Sequence, residues 1–139
     1  MVLNAKYSPP QFEPMVNKKV LVADDEPGVR VTISEYLLDS DFEVTLADDG
    51  PRAISILKKE SFDIVITDLA MPGMDGIELI RFLNRQFPDL PVIVVSASLH
   101  AEAYRDTVKQ YENIYETFPK PVDLQILESS INKALGLKE

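Results

Sequence analysis

Asp24 and Asp25, Asp68, Ser96 and Lys120 are the residues of this chain whose types and places suggest chemistry. Each ends or follows a short, largely apolar run: VLVA before Asp24, IVIT before Asp68, VIVV before Ser96 and IYETFP before Lys120. If these runs are neighbouring strands, three carboxylates crowd one small region, which is costly unless one takes up a proton or a hard cation with oxygen ligands neutralises them. Mg²⁺ suits that donor set, with Mn²⁺ as a substitute, because it combines one or two carboxylates with waters and often a phosphoryl oxygen. Taken singly, each residue has a plainer reading: an Asp after a strand is commonly a turn or helix cap, Ser96 a cap hydroxyl, and Lys120 a solvated lysine. Acids, a hydroxyl and an amine that all end strands on one edge argue against those readings. Lys120 also precedes Pro121, which constrains the peptide there and aims the ammonium at the acids.

Positioning these residues requires a sheet. Short runs rich in Val and Ile predict strands at Lys19–Ala23, Glu43–Ala47, Asp63–Thr67, Pro91–Val95 and Ile114–Phe118. Four of them are nearly continuous in apolar residues, as strands covered on both faces are. Between them run helical stripes such as Val29, Ile33 and Leu37, then Ala53, Ile56 and Leu57, and finally Leu124, Leu127, Ile131 and Leu135. Pro27 fits a first helical turn and Gly136 a helix stop. Five strands alternating with five helices predict a single doubly wound α/β domain with a five-stranded parallel sheet, order 2-1-3-4-5. Strands one and three are then about 4.8 Å apart. Ligands in such folds bind beyond the carboxyl ends of the strands, where all the candidate residues lie.

The whole chain fits this picture. Its 139 residues suit one domain, and 45% hydrophobic with 27% charged residues is an ordinary globular composition. Fourteen basic against twenty-three acidic residues, a formal net charge of −9, disfavour nucleic acid or an anionic membrane as the partner. The absence of cysteine excludes disulfides and thiolate metal sites. No apolar run approaches a membrane span and no secretory pattern opens the chain, so a cytoplasmic location is expected. Residues 1–17, with Pro9, Pro10 and Pro14, are expected to form an extended arm or linker ahead of a domain over 18–139.

The strings VLVADDEP, DIVITDLAMPGMDG, PVIVVSAS and FPKP, in this order and at these separations, resemble the receiver domain of two-component response regulators over about Lys18 to Leu135. The resemblance implies a flavodoxin-like, CheY-like domain in which Asp68 accepts a phosphoryl group from a sensor histidine kinase or histidine phosphotransfer protein. By position it makes Asp24, Asp25 and Asp68, with the backbone carbonyl of Ala70, the Mg²⁺ ligands. Lys120 would pair with phosphoryl oxygens, Ser96 would carry its hydroxyl to the phosphoryl group, and the Lys120–Pro121 bond is expected to be cis. It further implies a signalling switch that assists only its own phosphorylation and dephosphorylation, read by a downstream partner or a fused output domain, with a phosphorylation-dependent homodimer as another outlet.

One departure concerns the relay. The family usually has an aromatic residue three positions before the lysine, where this chain has Thr117; Phe118 is expected to face the core and not to replace it. Ala70 and Ser98, small and uncharged, suggest an open site. His100, the only histidine, is expected to be exposed, and Tyr104, Val108 and Tyr111 to pack inward as a helical stripe. The alternative from another class is a Mg²⁺-dependent phosphohydrolase with an aspartyl nucleophile. That class places its nucleophile after the first strand as DxD, where this chain has DDEP. A nucleotide phosphate loop of the GxxxxGK[ST] type is absent.

Overall fold

A computed structural model describes residues 17–137. The arm expected over 1–17 therefore lies almost wholly outside the described residues. Strands β1 (Lys19–Ala23), β2 (Glu43–Ala47), β3 (Ile64–Thr67), β6 (Val92–Ser96) and β7 (Ile114–Pro119) form one parallel sheet in the order β2-β1-β3-β6-β7, which is the expected 2-1-3-4-5 arrangement. Helices α1 (Pro27–Asp39), α2 (Gly50–Leu57), α3 (Gly76–Gln86), α4 (Glu102–Val108) and α5 (Leu124–Ala134) alternate with them. No helix among the described residues is long and apolar enough to cross a membrane.

Period-two alternation within the strands builds two cores. Leu21, Ala23, Val65, Val92 and Val94 face one way, against Ala53, Ile56 and Leu57 of α2 and Leu79, Ile80 and Leu83 of α3. Val20, Val22, Ile64, Ile66, Ile93 and Val95 face the other way, against Ile33 and Leu37 of α1 and Leu127 and Ile131 of α5. The three central strands are buried almost throughout, whereas the edge strands β2 and β7 are half exposed, so continuous burial holds only inside the sheet.

Helix starts follow local chemistry. Asp49, Asp75 and Asp123 accept hydrogen bonds from the first-turn N–H groups of α2, α3 and α5. Helix α1 has Pro27 in its first turn and no side-chain cap, which leaves the side chain of Glu26, its N-cap residue, free for another partner.

Several expectations are corrected. The third strand begins at Ile64, one residue later than expected; Asp63 just before it donates its N–H to the Lys19 carbonyl and accepts the Lys19 N–H on its carboxylate at 2.7 Å. The fourth strand runs over Val92–Ser96 and the fifth reaches Pro119. A short hairpin, β4 (Ala70–Met71) with β5 (Met74–Asp75), was not foreseen. Its turn residues are Pro72 and Gly73, the latter at φ +80, and that Pro–Gly pair was the available signal. Helix α4 ends at Val108; of the expected stripe Val108 is buried and Tyr111, just past the helix, packs half-buried against the α2 and α3 core, whereas Tyr104 is 39% exposed.

Candidate functional site

Register explains why the acids meet. Ala23 of β1 pairs with Thr67 of β3, so the next residues, Asp24 and Asp68, leave the sheet side by side. Two backbone bonds hold them there, Asp68 N–H to Ala23 O at 2.9 Å and Asp24 N–H to Ala47 O at 3.1 Å. Ser96 ends β6 beside Pro119 of β7, and the Lys120 N–H donates to the Ser96 carbonyl, bringing the lysine to the same edge. The Lys120–Pro121 peptide is cis.

Asp68 is 3% exposed and both of its oxygens are engaged. Oδ1 accepts from the Ser96 hydroxyl and from the N–H groups of Leu69 and Ala70, at 2.6 and 3.1 Å. Oδ2 accepts from Lys120 Nζ at 2.7 Å. The same ammonium reaches Asp24 Oδ2 at 2.9 Å and Glu26 Oε1 at 2.8 Å. Asp24 Oδ1 accepts the Glu26 N–H, and the Arg30 guanidinium donates to the Asp24 carbonyl at 2.7 Å, tying the β1–α1 loop to the helix.

The electrostatics follow from burial. Desolvation raises the Asp24 carboxyl above its ordinary value of 3.8, and the negative Asp68 adds to this; the Glu26 N–H and Lys120 pull the other way. Burial also works against the charged form of Lys120, but its bonds to Asp68, Glu26 and Asp24 outweigh that and hold the ammonium above the ordinary lysine value. One ammonium thus faces a cluster of acids.

Asp24, Asp25, Glu26 and Asp68 can bring one carboxylate oxygen each within 4.8 Å of one another. All donors are hard oxygens, and one of the four, Asp24, resists ionisation through burial, so this group fits Mg²⁺ in donor chemistry and in its need for positive charge. Asp25 sits at the site with its neighbours. Ala70 lies two residues past Asp68, in the hairpin strand β4. That hairpin is clamped from behind by the Gly76 N–H, which donates to the Leu69 carbonyl at 2.9 Å.

Glu26 is the site residue that inspection of the sequence missed. Its only signal was an acid next to two others, which reads equally well as favourable charge at a helix N-terminus. Thr117 pairs with Val94 and lies one residue from half-buried Phe118, which packs against the α1 and α5 core. His100 is exposed, as expected, and its Nε2–H donates to the Lys120 carbonyl at 3.1 Å.

The profile of the response regulator receiver domain matches residues 20–132. Sporulation initiation phosphotransferase F of Bacillus subtilis is 29% identical over 124 residues, 89% of this chain and 98% of that protein. Transcriptional regulatory protein GlrR of Escherichia coli is 30% identical over 116 residues, 84% of this chain but only 26% of that protein, so the chain spans about a quarter of its length. Among solved structures, the response regulator TrrA of Thermotoga maritima in complex with Mg²⁺ and beryllofluoride superposes with a TM-score of 0.76 at 28% identity, covering 85% of this chain and 99% of that one. These similarities do not favour the aspartyl-phosphohydrolase alternative.

Proposed function

The chain belongs to the receiver domains of two-component response regulators, and on that footing we propose that Asp68 is its phospho-acceptor. The observation that carries the assignment is the Asp68 carboxylate, buried at a strand end with Lys120 at 2.7 Å from Oδ2 and three donors on Oδ1. In the transfer, an Asp68 oxygen forms a bond to phosphorus as the P–N bond to a phosphohistidine breaks, and the imidazole leaves with that electron pair. An aspartyl nucleophile needs positive charge on the transferring oxygens, which Lys120 brings from within the chain.

Asp24, Asp25, Asp68 and the Ala70 carbonyl are the ligands proposed for Mg²⁺, or for Mn²⁺ in its place. Such a cation, when bound, neutralises the phosphoryl oxygens and polarises the phosphorus. Ser96 and Lys120 bind the phosphoryl group once it is on Asp68, and the added charge and acceptors reorder the segment that follows Ser96. Thr117 stands at the relay position, and Pro121 with its cis bond ends the lysine loop.

The donor proposed is a sensor histidine kinase or a histidine phosphotransfer protein, which the similarity to a Bacillus phosphotransferase supports. The reader is a downstream protein, a fused output domain as the greater length of GlrR suggests, or a second copy of this chain. The domain is a switch whose only chemistry is on its own phosphate, and the cytoplasm is where such a donor would meet it.

The test is incubation with Mg²⁺ and acetyl phosphate, followed by mass spectrometry for an acid-stable, base-labile phosphoryl adduct. Asp68→Ala should lack it; a comparable adduct on that variant moves the acceptor elsewhere. Asp25→Asn should weaken Mg²⁺ binding in a direct titration, and full retained affinity would contradict its role.

A further inference from the structure

Lys120 has three ammonium protons and three carboxylate partners, Asp68 Oδ2 at 2.7 Å, Glu26 Oε1 at 2.8 Å and Asp24 Oδ2 at 2.9 Å. A phosphoryl oxygen that is to bind the ammonium must displace one of them. Asp24 is 2% exposed, and its other oxygen is held by the Glu26 N–H. Asp68 is 3% exposed and held by three donors on Oδ1. The Glu26 side chain differs on every count: it is 57% exposed, makes no helix-capping bond and reaches Lys120 from the rim of the site. It also borders an open groove of about 700 Å³ that runs from Lys120 and Pro121 along Val29 and Thr32 of α1, so it has space to withdraw into.

We propose that Glu26 is a positioning residue that occupies one Lys120 proton in competition with the incoming phosphoryl group and is the partner that gives way. This rests on the reading of Asp68 as acceptor and deepens it. Its consequence is a brake: Glu26 slows phosphorylation by holding the ammonium that the phosphoryl group must engage. Glu26 also stands in the acidic group that fits a cation, so a direct Mg²⁺ titration distinguishes a hold on the lysine from a place on the metal.

The experiment is Glu26→Gln in the full chain, with phosphorylation by acetyl phosphate followed at several donor concentrations, alongside a direct Mg²⁺ titration of the same protein. Adduct formation at low donor concentration should rise about two- to fivefold, the scale of a partly exposed ion pair. The gain should lie in the apparent KM for the donor, and Mg²⁺ affinity should stay within about twofold of the wild type on that same scale. The gain should also vanish in a Lys120→Ala background, where Glu26 has nothing to hold. An unchanged or slower rate overturns the proposal. So does a tenfold loss of Mg²⁺ affinity, which would make Glu26 a metal ligand, or an equal gain without Lys120, which would leave only bulk charge repulsion. If the wild type forms no adduct at all, the acceptor assignment fails first; if it does and Glu26→Gln behaves identically, only this inference falls.

Discussion

The Ser96 hydroxyl donates to Oδ1 of Asp68 across the β3–β6 pair, so the residue proposed to sense the phosphoryl group is bonded to its proposed acceptor. Ser96 Oγ also accepts the Ser98 N–H at 3.2 Å, which caps the 3-10 turn Ala97–His100 leading into α4. One hydroxyl therefore joins Asp68 to the turn that leads into α4. Ser96→Ala should cost about 1.5–3 kcal/mol, the range for a bond to a charged group, and no more, since Leu69 and Ala70 still satisfy Oδ1. Phosphorylation of Asp68 should persist, while the amide shifts that Mg²⁺ and beryllofluoride induce over 97–108 should shrink. A full set of shifts in the variant would show that the signal leaves by another route.

Asp24 sets a pH dependence whose sign is fixed by its environment. Its folded-state pKa is raised by burial first and by Asp68 as well, so the folded chain binds this proton more tightly than the unfolded chain does. Stability is then lost as pH rises above 3.8 and through the raised value, the reverse of an acid whose ion pair outweighs its burial. Lys120, raised by its acidic partners, keeps its stabilising contribution across the whole neutral range and loses it only above the ordinary lysine value. The difference in Tm between Asp24→Asn and wild type, measured by calorimetry without metal, should grow in favour of the variant from pH 4 to pH 7. Mg²⁺ should raise the Tm of the wild type more than that of the variant. A less stable variant at pH 7 would contradict this account.

Gly76 keeps the loop behind Asp68 in place. A Cβ there would come within 2.3 Å of both the Leu69 Cα and its carbonyl oxygen, a contact that backbone cannot tolerate. Gly76→Ala should cost at least about 1–3 kcal/mol and weaken Mg²⁺ binding by shifting Leu69 and Ala70. Gly28→Ala is the contrast, since its Cβ would meet nothing within 4 Å inside the first turn of α1, and its Tm should be unchanged or slightly higher. Equal Tm values for the two variants would remove the steric argument.

Phe118 should not move when the site is filled. It packs against the α1 and α5 core beside Val95, while Thr117 holds the position of the usual aromatic relay. With fluorinated phenylalanine, the Phe118 resonance, assigned by its loss in Phe118→Leu, should keep its solvent accessibility when Mg²⁺ and beryllofluoride are added. A change from half-buried to exposed or fully buried would make Phe118 a relay after all.

Much of this was legible in the chain. Apolar runs over Val20–Ala23, Ile64–Thr67 and Val92–Val95 are buried strands because only residues covered on both faces dispense with polar alternation. With those strands parallel, Asp24, Asp68, Ser96 and Lys120 must share one edge, so the site could be named before its distances were known. The hairpin that carries Ala70 was announced by Pro72–Gly73, though its pairing was not.

Two features were decided only by the tertiary structure. In β7 the pairing steps from Val92–Ile114 to Ile93–Glu116, leaving Tyr115 as an extra residue. That bulge reverses the alternation, so Ile114 packs with the α2 and α3 core while Phe118 packs with α1 and α5. Composition and period cannot place a one-residue slip. Glu26 is the second feature, since its partner lies 94 residues away and the pair exists only because β1 and β7 deliver their following loops to the same edge. Local sequence specifies burial, caps and turns, because these depend on neighbours a few residues off. Which acid reaches which amine depends on strand register and loop geometry across the assembled sheet, and that is why the triple hold on Lys120 appears only in the fold.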